Sequence, residues 1–186
     1  ITYVFDHWDD GSTENPRSFT LSQAAARSVT LKAHLATNTS GATWVAAQPR
    51  VKEESDGAGL TQHAVYESGG GIYYVRNRNS TGWESERRLS AVGSVATDPT
   101  LSTYSAGQPG QIRVNVAWRE VGGGLWFRQS NLDDGLTWQG PVQVVGAVAP
   151  SAPVLLDGTN EGEAVAWAET GGSCGVRLNL DPAAGQ

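Results

Sequence analysis

Three glutamates at nearly equal intervals are the first residues here that invite a chemical reading. Glu67, Glu120 and Glu169 stand 53 and 49 residues apart, and glycoside hydrolysis needs two carboxyl groups at a defined separation. The runs "DHWDDGSTE" and "KEESDG" place several carboxylates close together, as a hard cation would require. The stretch "SNLDDGLTW" sets two further acids beside a glycine and a tryptophan. Exposed aromatic rings such as Trp44, Trp83 and Trp126 would offer flat surfaces on which a sugar can stack.

Spacing argues against most of this chemistry. A glutamate that recurs once per repeat serves each repeat alike, for example by accepting hydrogen bonds at a strand end, whereas a catalytic acid is rarely copied. Neither acidic run has the alternating oxygens and twelfth-position glutamate of an EF-hand, so both read as solvated turns. His7, His34 and His63 lie far apart in sequence, and the single Cys174 excludes an internal disulfide and reads as a small buried residue. No metal and no cofactor is expected.

Composition narrows the classes further. The 186 residues are 39% hydrophobic with seven tryptophans, enough to bury a core. A net charge of -6, two lysines and scattered arginines leave no basic stripe for a nucleic acid. No run approaches the ~18 apolar residues of a membrane span. The start at Ile1 and the lack of methionine suggest a piece of something longer.

The glutamates belong to an internal repeat. "AVYESGGGIYYVRN", "AWREVGGGLWFRQS" and "AWAETGGSCGVRLN" align on them, and Pro49, Pro99 and Pro153 recur upstream at the same period of about 50. Each unit predicts four short antiparallel strands: a run around the proline, an apolar run such as "VNVAW", an aromatic run such as "LWFRQ" and a tail such as "WQGPVQV". The glycines between the second and third strands supply positive φ for a tight hairpin. "LSQAAARSV" is the only helix-like fragment. Four strands at this period predict an all-β fold of about three propeller-type blades, over 38–90, 91–144 and 145–186, the last incomplete.

"SNLDDGLTW" resembles the S-x-D-x-G-x-T-W turn, the Asp-box or BNR repeat, between the third and fourth strands of sialidase-like propeller blades. Asp133, Gly135, Thr137 and Trp138 match, and Asn131 stands where the motif has serine. The resemblance implies a structural turn, with the aspartate accepting backbone N–H groups across its own loop. The first unit keeps Gly82 and Trp83 but has no aspartate, so its turn is expected to rely on Asn79 and Ser80. Enzymes of that family use three arginines, a tyrosine partnered by a glutamate and an acid/base aspartate. Arg76, Arg113, Arg119, Arg128 and Tyr73 are available, but the early Arg-Ile-Pro signature is absent.

Residues 1–37 resemble the C-terminal half of the bacterial repeat modules of listerial and other secreted surface proteins, an internalin-like B-repeat. Phe5, Trp8, Gly11, Asn15, Pro16, Arg17 and the run Thr30 to Leu35 carry the match. "WDDGSTENP" also imitates "LDDGLTWQGP", so a fourth degenerate Asp-box is the rival reading. Three blades do not close a propeller, so self-association or missing parent segments are expected at strand edges, with Ile1 to Phe5 as a donor strand that lacks a partner in its own segment. The combined expectation is a non-catalytic, extracellular or cell-surface bacterial module with a structural or a glycan- or protein-binding role, Trp44, Trp83, Trp126 and Arg128 being the candidate contact residues. The alternative is a fragment of a sialidase-like glycoside hydrolase completed elsewhere. An arginine cluster on one face, with a tyrosine–glutamate pair beside it, would favour the enzyme.

Overall fold

Alternation of apolar and polar side chains along "LTQHAVYES" and "IRVNVAWRE" gives each run two faces, and these runs form the central strands of two sheets. A computed structural model of the chain describes residues 2–13, 29–34, 50–55, 59–106, 108–122, 124–144, 150–156, 164–169 and 176–179. Among them every regular element is a strand. Trp44, Asn15 to Arg17, Cys174 and nearly all of "LSQAAARSV" lie outside the described residues.

The first unit is a four-stranded antiparallel sheet of β3 (Val51–Ser55), β4 (Leu60–Ser68), β5 (Gly71–Arg78) and β6 (Arg87–Arg88), in chain order. The second repeats it with β7 (Ala96–Ser105), β8 (Ile112–Glu120), β9 (Gly124–Gln129) and β10 (Val142–Gln143). Three strands of the third are described: β11 (Val154–Leu156), β12 (Ala164–Ala168) and β13 (Val176–Asn179). Among the described residues, four strands are therefore present in each of the first two units and three in the last, and no sheet closes on itself.

The hairpins follow their glycines. Ser68 pairs with Gly71, and Gly69 and Gly70 sit at φ 53° and 78°, the double left-handed turn that matches strand twist. In the second unit Glu120 pairs with Gly124, so this hairpin is one residue longer than its counterpart.

Two apolar layers stack the three sheets. Val65, Ile72 and Leu89 of the first sheet meet Leu101, Ile112, Val114, Val116 and Trp118 of the second. The second sheet's opposite face, through Ala117, Leu125, Phe127 and Val144, meets Leu155, Val165 and Trp167. Burying each Val, Leu or Ile of such a layer contributes roughly 1.5–3 kcal/mol. Because β7 packs on both β4 and β11, the second unit is the middle of the stack.

A fourth sheet holds β1 (Thr2–Trp8) and β2 (Val29–His34), antiparallel from Thr2 opposite His34 to Trp8 opposite Val29. This overturns the expectation that the first residues lack a partner in their own segment. The ladder absorbs an irregularity between Phe5 and His7, and the chain leaves β1 through a turn in which Gly11, at φ 79°, donates to the Trp8 carbonyl.

Candidate functional site

The polar chemistry of the described residues gathers where the turn after β9 lies against the first sheet. That turn, Ser130 to Trp138, folds back along the start of β8: Ser130 N–H donates to the Val114 carbonyl and Asp134 N–H to the Ile112 carbonyl. Inside it, the Asp133 carboxylate accepts the Thr137 N–H at 2.9 Å and also the Thr137 hydroxyl. Asn131 donates to that hydroxyl at 2.7 Å, and the Trp138 indole N–H donates to the Gly135 carbonyl at 3.0 Å. The residues that match the motif thus bond to one another.

Asp134, the variable residue between them, does something else. It sits at φ 62° with its side chain buried, directed into the first sheet. Its Oδ2 accepts the Thr61 hydroxyl and Arg76 Nη1, each at 3.3 Å, and lies 3.8 Å from Arg78 Nη1. Its carbonyl accepts Arg76 Nη1 at 2.7 Å, and its Oδ1 is 3.5 Å from His63 Nε2. All four partners lie on β4 or β5, so one turn residue bonds the second sheet to the first. Its place beside the motif position gave the sequence reading no reason to single it out, and a pair of acids in a turn is ordinarily solvated.

The network continues through His63, which is fully buried. Its Nδ1 lies 2.7 Å from the Tyr74 hydroxyl, and the Tyr74 ring meets the Trp138 ring edge-on at 4.9 Å. When the phenol donates, Nδ1 accepts and the imidazole proton sits on Nε2, facing the Asp134 carboxylate. Burial, and then the Arg76 charge, hold the His63 pKa down at about 4, so the ring is neutral at pH 7. The Asp134 carboxylate pulls the other way, but from 3.5 Å and while shared with two guanidiniums it does not outweigh burial. Tyr74 is pushed well above the usual phenol range by burial. For Arg76, burial opposes the charge, yet Glu84 at 2.7 Å and Asp134 outweigh it and raise its pKa. Gly135 completes the fit: at φ 77° a Cβ there would come within 2.2 Å of the Tyr74 oxygen.

Outside this buried layer, the two sheets leave a cleft of about 800 Å³. Arg76 and Arg87 of the first sheet line one side, Arg128, Leu136 and Trp138 of the second the other, with Glu84 at the rim. Arg128 is held by the Gln139 carbonyl at 2.6 Å and the Leu89 carbonyl at 3.0 Å.

The other expected residues are dispersed. Trp126 is partly buried, packed against the core between the first two sheets, as Trp138 is. Trp83 is 53% exposed. Arg119 bonds Asp98 at 3.0 Å, at the hairpin end of the sheets. The repeated glutamates have local roles. Glu120 and Glu169 accept the indole N–H of Trp118 and Trp167, two residues earlier in the chain. Where the first unit has Val65 for that tryptophan, Glu67 instead accepts the Asp98 N–H, and burial followed by the Asp98 charge raises its pKa. Tyr66 donates to Glu86, whose pKa burial raises, and its ring stacks on buried Tyr73 at 5.9 Å. Strand alternation puts this tyrosine–glutamate pair on the face of the first sheet opposite Tyr74 and Arg76. Among the described residues no group of three His, Cys, Asp or Glu is placed to hold a metal ion, and no helix is long and apolar enough to cross a membrane.

Comparison of the chain with protein-family models, with curated proteins and with solved structures returns no match.

Proposed function

We propose that this chain is a non-catalytic, propeller-type β-repeat module of an extracellular or cell-surface bacterial protein, with a structural role and a ligand-contact surface for a glycan or protein. One observation carries the reading: among the described residues, the groups that would do glycosidase chemistry are not assembled together. Three arginines do converge on a cleft, but the tyrosine among them, Tyr74, is buried, bonded to His63 and shifted away from phenolate. The phenol that does bond a glutamate, Tyr66, lies on the other face of its sheet. A carboxylate dyad is likewise missing from the cleft, since Glu84 is ion-paired to Arg76 and Asp134 is sealed beneath the turn.

The turns and the indole–glutamate pairs give the repeats their structural character, and stacking of the second sheet between the other two is the arrangement neighbouring blades adopt. Residues 1–37 form the partial bacterial-repeat module of this reading, and the open edges of the sheets are where parent segments or a second copy join. The test is turnover of fluorogenic sialosides and neutral glycosides. The expected result is no hydrolysis above the uncatalysed rate. Hydrolysis abolished by Tyr74→Phe or Arg128→Lys would establish the sialidase-like alternative.

A further inference from the structure

The cleft between the first two sheets departs from the electrostatics of the rest of the chain. Thirteen Lys and Arg face nineteen Asp and Glu overall, yet Arg76, Arg87 and Arg128 meet on this one surface. The carboxylate on its wall, Glu84, is already bonded to Arg76. Low-dielectric walls lined by one sign of charge focus the field and concentrate the opposite charge. Two of the guanidiniums are fixed before any ligand arrives. Arg76 is held by Glu84 and Asp134, and Arg128 by two backbone carbonyls from different units. With Nε and Nη1 engaged by these partners, each acts on an oxyanion as an oriented positive charge.

The remaining walls say what else the ligand carries. Leu136 and Trp138 give the cleft an apolar side, and Ser85 and Thr137 also line it, the Thr137 hydroxyl being bonded to Asp133 and Asn131 within its own turn. A volume of about 800 Å³ holds a few saccharide rings rather than an isolated ion. From the combination of fixed guanidiniums and an indole wall, we infer that this cleft binds an anionic oligosaccharide, with a sulfate or carboxylate at Arg87 and Arg128 and a ring face against Trp138. The inference rests on the non-catalytic reading and gives it a ligand class. An acidic peptide would satisfy the arginines but would leave the indole wall without the flat polyhydroxylated partner it suits.

Titration calorimetry of the full chain at low salt tests it, with a sulfated dextran oligosaccharide, an oligogalacturonate, neutral maltohexaose, poly-glutamate and inorganic sulfate as probes. Saturable binding of at least one anionic saccharide is expected, sulfated against carboxylated showing which oxyanion is preferred, with none for maltohexaose. Affinity should fall as salt is raised. Arg87→Glu, checked for folding by its melting curve, should weaken binding about tenfold or more. Arg128→Gln, checked for folding by circular dichroism, should do the same. The inference is overturned if no anionic saccharide binds, if poly-glutamate or sulfate alone binds as tightly, or if both variants bind like the parent. Slow cleavage of a bound saccharide would leave the site standing and overturn the non-catalytic reading instead.

Discussion

The turns that close the first and second sheets begin from similar sequence and end in different structures. Both run from a residue that bridges a tryptophan, Asn77 to Trp83 in one and Ser130 to Trp138 in the other. The first is two residues shorter and turns on Asn79 and Ser80, which both adopt positive φ, 51° and 56°. Its bonds stay local and exposed: Gly82 N–H to Asn77 Oδ1, and Leu60 N–H to Asn79 Oδ1. Its tryptophan faces solvent. The longer turn reaches inward, buries Asp134 against β4 and β5, and sets Trp138 against Tyr74. Two extra residues and one buried carboxylate convert a cap on one sheet into a bond between two.

Substitutions should separate the two turns by size of effect. Asp134→Ala is expected to be the most damaging, by about 3–5 kcal/mol in urea unfolding, because it removes the carboxylate that Thr61, His63 and Arg76 face in a buried layer and leaves Arg76 only Glu84 and a backbone carbonyl. Acid should act through the same layer. The folded state holds His63 neutral with a pKa of about 4 against an ordinary 6.5. Its contribution to stability is therefore complete above pH 6.5 and is lost as pH falls from 6.5 toward 4, by roughly 2–3 kcal/mol. Because Glu67 and Glu86, with raised pKa values, act in the opposite sense, the readout is the parent minus His63→Gln. That difference should shrink between pH 7.5 and pH 4.5, and a constant difference would remove His63 from the account.

Smaller effects probe the turns themselves. Asp133→Ala removes the acceptor for the Thr137 N–H and hydroxyl and should destabilise by roughly 1–2 kcal/mol without uncoupling the sheets. Trp83→Ala, at the exposed tip, should fall within about 0.5 kcal/mol of the parent. A large loss there would mean that the shorter turn is also a docking element.

Periodicity made the repeat visible, and with it the strands around "VNVAW" and "LWFRQ" and the glycine hairpins, since these follow from local alternation and backbone freedom. The bonds of Asp133 and Thr137 lie within one loop, so a local motif was enough to suggest them. Asp134, His63, Tyr74 and Arg76 were not legible as a group: 58 residues separate Arg76 from Asp134, and only the stacking of two sheets brings them together. The partial burial of Trp126 depends on a neighbouring sheet in the same way. The pairing of β1 with β2 spans a segment whose local pattern suggests no partner.

The central claim is that Asp134 couples the second sheet to the first, and a double-mutant cycle between Asp134→Asn and Arg76→Gln measures it directly. The account predicts a coupling energy of about 1–3 kcal/mol from equilibrium unfolding. Additive effects, with coupling below about 0.5 kcal/mol, would contradict it and leave the buried turn as packing alone.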